Sequence, residues 1–232
     1  MTRHWQRGLR DALPMMLVIA PFGLLYGVVA QAAGFTMTQT MAMTIMVIAG
    51  ASQFTATQLL TENAPFLIIL LTGLAINLRM VMYSASMTTH VGSAPLGQRA
   101  AMAYMMVDQT FAIAEREYVE NPALSVADKM GYYFGTCIPI VPLWYLSTWA
   151  GAAFGTTFPD DIGLDFAVPI TFISLFAPAM RRFPSAGAAV AASLTALLLY
   201  RIVPYQLWLI IAGGVGMVTG ALLEIAQERR HG

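Results

Sequence analysis

The chain carries few charges and almost no cysteine. Of its 232 residues only 10% are charged, against about 25% in a soluble globular domain, and 58% are hydrophobic. A soluble globular class is thereby excluded. The formal net charge is zero, which gives no pointer to nucleic acid or to a strongly charged soluble partner. A lone cysteine, Cys137, excludes an intrachain disulfide. With no cluster of His or Cys beside it there is no zinc pattern either, and it reads as a small buried apolar side chain. No Walker loop, HExxH, Ser-His-Asp arrangement or GxGxxG is present, so no enzyme activity, no cofactor and no metal are expected. The polar-apolar alternation over about ten positions that marks a barrel strand is missing as well.

What is present is long apolar runs, several reaching the ~20 residues an α-helix needs to cross ~30 Å of hydrocarbon. They predict an all-α polytopic membrane protein, read as a single transmembrane domain over 1–232 with a cytoplasmic N-terminal segment (1–12) and tail (225–232). Spans are expected at about 13–33, 38–60, 65–88, 99–118, 130–156, 165–180, 184–200 and 204–224. Eight is the preferred count and seven the alternative, because the fourth carries Asp108 and the seventh is short. The opening "MTRHWQRGLR" before an apolar run imitates a secretory signal, but the run continues through residue 33 and reads as the first span. Placing the N-terminus inside puts Arg3, Arg7, Arg10, Arg116, Lys129, Arg181, Arg182, Arg229 and Arg230 on the inner side, and only Arg99 and Arg201 outside. This bias places both termini in the cytoplasm.

Proline and glycine interrupt "APFG" (20–23), "GTCIPIVP" (135–142) and "VPITFISLFAP" (168–178), so several spans are expected to be broken there. The likeness of "VVAQAAGF" (28–35) to "TWAGAAFG" (148–155) suggests a weak internal duplication, parallel with eight spans and inverted without the fourth. Small residues line one face of span eight (Ala212, Gly216, Gly220) and one face of span seven (Ser185, Ala189, Ser193), which suits close helix contact.

Polar residues at depth need partners. Arg79, Tyr83 and Ser86 share a face, Asn77 lies on the adjacent one, and Tyr104, Asp108 and Glu115 line one side of span four. In span two Gln53 and Thr57 share a face, Ser52 and Thr55 another, and Gly50 permits close approach. Arg79 and Asp108 are the two ionisable groups assigned to the middle of the membrane. Either they pair with each other, or one or both meet a charged substrate across a wet cavity. A zwitterionic amino acid fits this inventory, as do an inorganic ion or a lipid headgroup. The carboxylate would go to Arg79, the ammonium or a proton to Asp108. Gln53, Ser52 and Asn77 would supply further polar contacts, Tyr83 shares the Arg79 face, and the Pro21-Phe22-Gly23 break would give access.

"LPMMLVIAPFGLLYGVVAQAAGF" (13–35), "MVIAGASQFTATQLL" (46–60), "INLRMVMYSASM" (76–87) and "VDQTFAIA" (107–114) together resemble the successive blocks of the AzlC family, over roughly residues 8–182. The resemblance implies the large subunit of an inner-membrane exporter of branched-chain amino acids, proton-driven and working with a small AzlD-type subunit. Two positions depart from the family's pattern. The residue after "NLR", commonly histidine, is Met80, and the usual Asp-Glu is Asp108-Gln109. A proton role carried over from the family therefore falls on Asp108 alone. A passive channel for small polar solutes and a non-transporting membrane scaffold stay open as other readings. An intramembrane enzyme would require a base at depth, where the chain offers serines but no histidine.

Overall fold

The computed structural model describes residues 4–155, 180, 183–205 and 207–231. The sixth expected span, the acidic loop 158–165, and Arg181 and Arg182 lie outside the described residues. All regular structure among the described residues is helical. The helices are α1 (His4–Ala12), α2 (Met16–Ala32), α3 (Met37–Met46), α4 (Gly50–Thr61), α5 (Phe66–Val91), α6 (Leu96–Tyr104), α7 (Asp108–Glu120), α8 (Val126–Phe154), α9 (Phe183–Leu199) and α10 (Leu207–His231). A 3₁₀ turn, Leu13–Met15 with Pro14 inside it, joins α1 to α2. Among the described residues four stretches are long and apolar enough to cross a membrane: His4–Ala32, Phe66–Val91, Val126–Phe154 and Leu207–Gln227.

The residues divide into two compact units, 1–54 with 77–162 and 55–76 with 163–232. In the first, α1–α2 and α8 form a parallel pair held by glycine. A Cβ on Gly8 would fall on the Tyr132 backbone, one on Gly27 on Thr148 and Gly151, and one on Gly151 on the Leu24 carbonyl. At the end of this seam Gly155 rests against Val28. The expected breaks at Pro21 and at Pro139 and Pro142 do not occur. Both helices run on through these prolines, because a proline removes one hydrogen bond and the glycine-lined seam on either side holds the helix in line.

The breaks fall instead at 47–49 and 105–107, in expected spans two and four, and at each the chain turns back. Tyr26 of α2 meets both Met43, through a hydrogen bond from its hydroxyl to Sδ at 3.2 Å, and the Phe54 ring, at 5.3 Å. In a straight helix these two residues would stand ~16 Å apart along the axis. Gln53 Nε2 likewise reaches back to Thr44 Oγ1 at 3.1 Å. In the second case α6 runs antiparallel to α5, with Ser84 Oγ on Met106 Sδ at 3.9 Å and Arg99 facing Val91 and Gly92 across a shared cavity. Helix α7 then runs parallel to α5, pairing Arg79 with Asp108, Ser86 with Glu115 and His90 with Tyr118. Expected spans two and four therefore each turn back on themselves as helical hairpins, a re-entrant arrangement in place of one continuous helix.

The pattern of long helix, turn, short helix, break, short helix occurs twice with matched lengths. Helices α3 and α6 have 10 and 9 residues, and α4 and α7 have 12 and 13. The second copy runs in the opposite direction, with its hairpin entering from the α1 end and the first from the far end of α2. This is the arrangement of an inverted repeat.

Local chemistry sets the hairpin ends. Thr36 and Gln39 form a reciprocal capping box that starts α3: the Gln39 N–H donates to Thr36 Oγ1 at 3.3 Å and the Thr36 N–H to Gln39 Oε1 at 2.8 Å. Gly34, at φ +84°, makes the turn before it. Val47 is extended, at φ −133° and ψ 94°, and ends α3. The extended Val107 is held by its N–H donating to Thr110 Oγ1 at 3.0 Å, which starts α7.

In the second unit α9 and α10 pack antiparallel. Gly216 lies on Ala188 and Ala192, and Gly220 on Ala188 and Pro184. The α9 face in this seam is therefore that of Pro184, Ala188 and Ala192, one position off the expected Ser185, Ala189 and Ser193.

Candidate functional site

The two hairpin tips meet inside the first unit, beside the middle of α5. Tyr104, at the end of α6, donates from its hydroxyl to the Ile45 carbonyl at 2.7 Å and shares a hydrogen bond with the Tyr145 hydroxyl at 2.8 Å. One side chain thus ties the second hairpin to the last turn of the first and to α8.

Asp108 stands in the first turn of α7, just past the second break, where unpaired N–H groups and the helix dipole favour a carboxylate. Two side chains from α5 reach it: Arg79 Nη1 lies 2.8 Å from Oδ2, and the Tyr83 hydroxyl donates to Oδ1 at 2.8 Å. The Tyr83 ring stacks on Phe111 with centroids 4.1 Å apart and planes 11° apart, which fixes its hydroxyl over the carboxylate. Of the two arrangements open from sequence, the pair with each other is the one formed. The pair is only partly enclosed by the chain, the two side chains being 23% and 25% exposed. Arg79 Nε is enclosed and has no acceptor.

Two residues before Arg79, Asn77 Nδ2 donates to Ser52 Oγ at 3.2 Å, and Ser52 donates to the Ala49 carbonyl at 2.9 Å, so α5 is attached to the first tip. Asn77 Oδ1 and Gln53 Oε1 are buried without a hydrogen-bond partner, and Gln53 is fully buried. A buried acceptor left unmade costs roughly 1–3 kcal/mol, so these two oxygens are suited to a donor supplied from outside the chain. Arg79, Asp108, Tyr83, Asn77, Ser52 and Gln53 therefore come together at the two breaks.

Phe22 and Gly23 sit to one side. Phe22 packs in an aromatic group with Phe54 (5.2 Å) and Trp144 (5.8 Å) and covers Gly50, whose missing Cβ lets the ring sit directly on the backbone. Gly23 is a packing position, because a Cβ there would enter Ser147. With no break at Pro21, these two residues wall the first tip.

Beside the second tip a cavity of about 170 Å³ lies between α5 and α6, lined among others by Ser84, Met87, Arg99, Met102 and Met106. Its inner end is the Met106 of the break and its outer end the Arg99 side. By volume it compares with a cavity of ~150 Å³ that takes up benzene.

Sequence reasoning missed Thr44 and Thr110 and named Tyr104 only as a face marker, although all three help bind the tips together. A hydroxyl three positions after Val107 was the available signal for the start of α7. It also treated Ser86 and Glu115 as face markers only, whereas Ser86 Oγ donates to Glu115 Oε1 at 2.9 Å and His90 Nε2 stands 3.5 Å from Glu115 Oε2.

The AzlC protein family matches residues 14–158, a stretch that contains every residue of this site. The chain is 26% identical to the inner membrane protein YgaZ of Escherichia coli over 96% of its own length and 90% of that relative. It is 27% identical to a membrane protein of Haemophilus influenzae over 72% of the chain and 67% of the relative. A membrane protein of Helicobacter pylori is 24% identical over 76% and 77%. No solved structure matches significantly. The matched region spans both re-entrant hairpins and the three long helices around them, and the chain is a membrane protein that belongs to the AzlC family.

Proposed function

We propose that the chain is the large, substrate-carrying subunit of an exporter of branched-chain or similar small hydrophobic amino acids, and not an enzyme. It works in the bacterial inner membrane with both termini in the cytoplasm, draws on the proton gradient, and acts with a small AzlD-type membrane subunit. The observation that carries this reading is the Arg79–Asp108 pair held where two oppositely directed broken-helix hairpins meet. Such a junction presents free helix ends at the depth where transporters bind their cargo.

A zwitterion suits the pair because it substitutes for it. As the pair opens, the substrate carboxylate takes the guanidinium and the ammonium takes Asp108, so the site stays neutral at every stage and no charge is left uncompensated in the membrane. Asn77 Oδ1 and Gln53 Oε1 supply acceptors for the ammonium, and the methionine-lined cavity next to the tip takes an aliphatic side chain. The proton falls on Asp108 or on a carboxylate coupled to it. The cytoplasmic orientation is supported by the basic residues of the first unit. Arg7, Arg10, Arg99, Arg116 and Lys129 all stand toward the α1 end, and Arg79 alone is at the centre.

The test is counterflow of labelled valine into proteoliposomes, with and without the small partner. Saturable, substrate-dependent exchange that Arg79→Ala abolishes is the expected result. Unsaturable leakage at millimolar substrate would establish a passive channel instead, and full activity of Arg79→Ala would remove the pair from the pathway.

A further inference from the structure

Below the Arg79–Asp108 pair the seam between α5 and α7 continues as a ladder of polar and aromatic contacts. Arg79, Tyr83, Ser86 and His90 recur every three or four residues on α5, and Asp108, Phe111, Glu115 and Tyr118 do so on α7, so each set forms one stripe. The ladder holds two carboxylates of different character. Asp108 has a permanent cation. Glu115 has Ser86 at 2.9 Å and His90 at 3.5 Å, and the histidine is a cation only when protonated.

Nothing else charged faces Glu115 across the seam among the described residues. Glu117, its neighbour on α7, is turned to α1 and paired with Arg7 at 2.9 Å. Arg116 is paired along the helix with Glu120 at 2.8 Å. Lys129 of α8 lies over the ring of Tyr118, 5.5 Å from its centroid, and that ring in turn packs on His90 at 5.3 Å. Glu115 and His90 are 28% and 20% exposed, and Glu115 Oε2, the oxygen nearest His90, is enclosed with no hydrogen-bond partner. Along the α7 axis Asp108 and Glu115 are about 10 Å apart, from seven residues at 1.5 Å each.

We propose that Glu115 and His90 form a proton-binding dyad, separate from the substrate pair, that carries the driving proton and leaves Asp108 to the substrate ammonium. The proposal rests on the proton-coupled reading above and names its site. Loaded, the dyad holds one proton, either as a carboxylate beside an imidazolium or as a carboxylic acid beside a neutral imidazole, and its net charge is zero. Empty, it is one negative charge in a half-sheltered seam. That state favours separation of α5 from α7, and through Tyr83 and Arg79 on the same helix it loosens the hold on Asp108. Histidine suits this task because its imidazole can both take up and release a proton.

Two readouts test it, both on the full chain with its small partner in proteoliposomes. The first compares Glu115→Gln and His90→Gln with the unaltered chain in valine accumulation driven by a pH gradient and in valine counterflow without one. Accumulation should fall at least about tenfold while counterflow stays within about twofold, as expected when a coupling free energy and not a binding site is removed. Undiminished accumulation in Glu115→Gln, or equal loss of both activities in both variants, would overturn the dyad. The second readout needs no transport: an infrared band of the dyad that titrates with pH, from a carboxylic acid or from an imidazolium, should be present and should vanish or move in both Glu115→Gln and His90→Gln. Its absence would also overturn the dyad. A chain that moves no valine at all while keeping this band would instead defeat the amino-acid reading and leave the dyad standing.

Discussion

Arg79 shows how far a single residue can be read. A guanidinium inside an apolar run demands a partner, and the carboxylate predicted from depth alone is the one it meets, at 2.8 Å. What the run could not disclose is that Tyr83 would be a second ligand of the same carboxylate, because face-sharing on α5 says nothing about which neighbour that face meets. The site is consequently a three-member unit, and its members should not behave additively. Arg79→Met alone leaves Asp108 as an uncompensated anion, and Asp108→Asn alone leaves a free guanidinium. Removing one member of a buried pair costs ~3–5 kcal/mol, and here about half that is expected because a quarter of each side chain is exposed. If the pair is only structural, the double variant Arg79→Met with Asp108→Asn should recover both folding yield and valine counterflow. If the pair receives substrate, the double variant should recover thermal stability measured on the purified protein and still carry no valine. The separation of these two measurements decides the role.

Helix elements were legible from hydrophobic runs in their extent but not in their course. Proline was the expected marker of a break, yet α2 and α8 pass through Pro21, Pro139 and Pro142. The breaks lie in Val47-Ile48-Ala49 and Met105-Met106-Val107, which contain neither proline nor glycine. The deciding contacts there come from elsewhere in the chain: Tyr104 on the Ile45 carbonyl, Gln53 on Thr44, and Tyr133, whose hydroxyl donates to the Met102 carbonyl at 2.9 Å. Apolar residues at such a tip are indistinguishable in sequence from apolar residues in mid-span. The α2–α8 seam, by contrast, rests on absent Cβ atoms that a sequence displays openly as small residues. Gly151→Leu places a side chain into the Leu24 backbone, and overpacking of this kind costs typically ~1–3 kcal/mol. The expected outcome is a clear fall in the thermal midpoint of the detergent-solubilised protein. Gly131→Ala, on the same helix with nothing within 4 Å of the added atom, should leave the midpoint unchanged or raise it slightly, as a helix gains on losing glycine.

At the scale of the molecule the consequence of two re-entrant hairpins is a topology that differs from an alternation of eight crossings. Eight crossings place the turns at 92–95 and 121–125 on opposite faces of the membrane, because span four lies between them. In the structure α6 and α7 both return to the α1 end, so Ser93 and Ala123 belong to one face while Thr38, at the start of α3, belongs to the other. The charge pattern fits the second arrangement better: Arg99, the one basic residue of the 77–162 stretch that eight crossings leave outside, joins Arg7, Arg10, Arg116 and Lys129. Single cysteines separate the two topologies cleanly, since the sole native thiol, Cys137, is buried and can be replaced by alanine. Ser93, Ala123 and Thr38 are all exposed, and each Cys variant would be treated in whole cells with a membrane-impermeant maleimide. Ser93→Cys and Ala123→Cys should both be protected until the membrane is permeabilised, while Thr38→Cys should label at once. Immediate labelling of Ser93→Cys together with protection of Ala123→Cys would restore span four as a crossing. It would also undo the meeting of the two hairpin tips on which the placement of Arg79 and Asp108 depends.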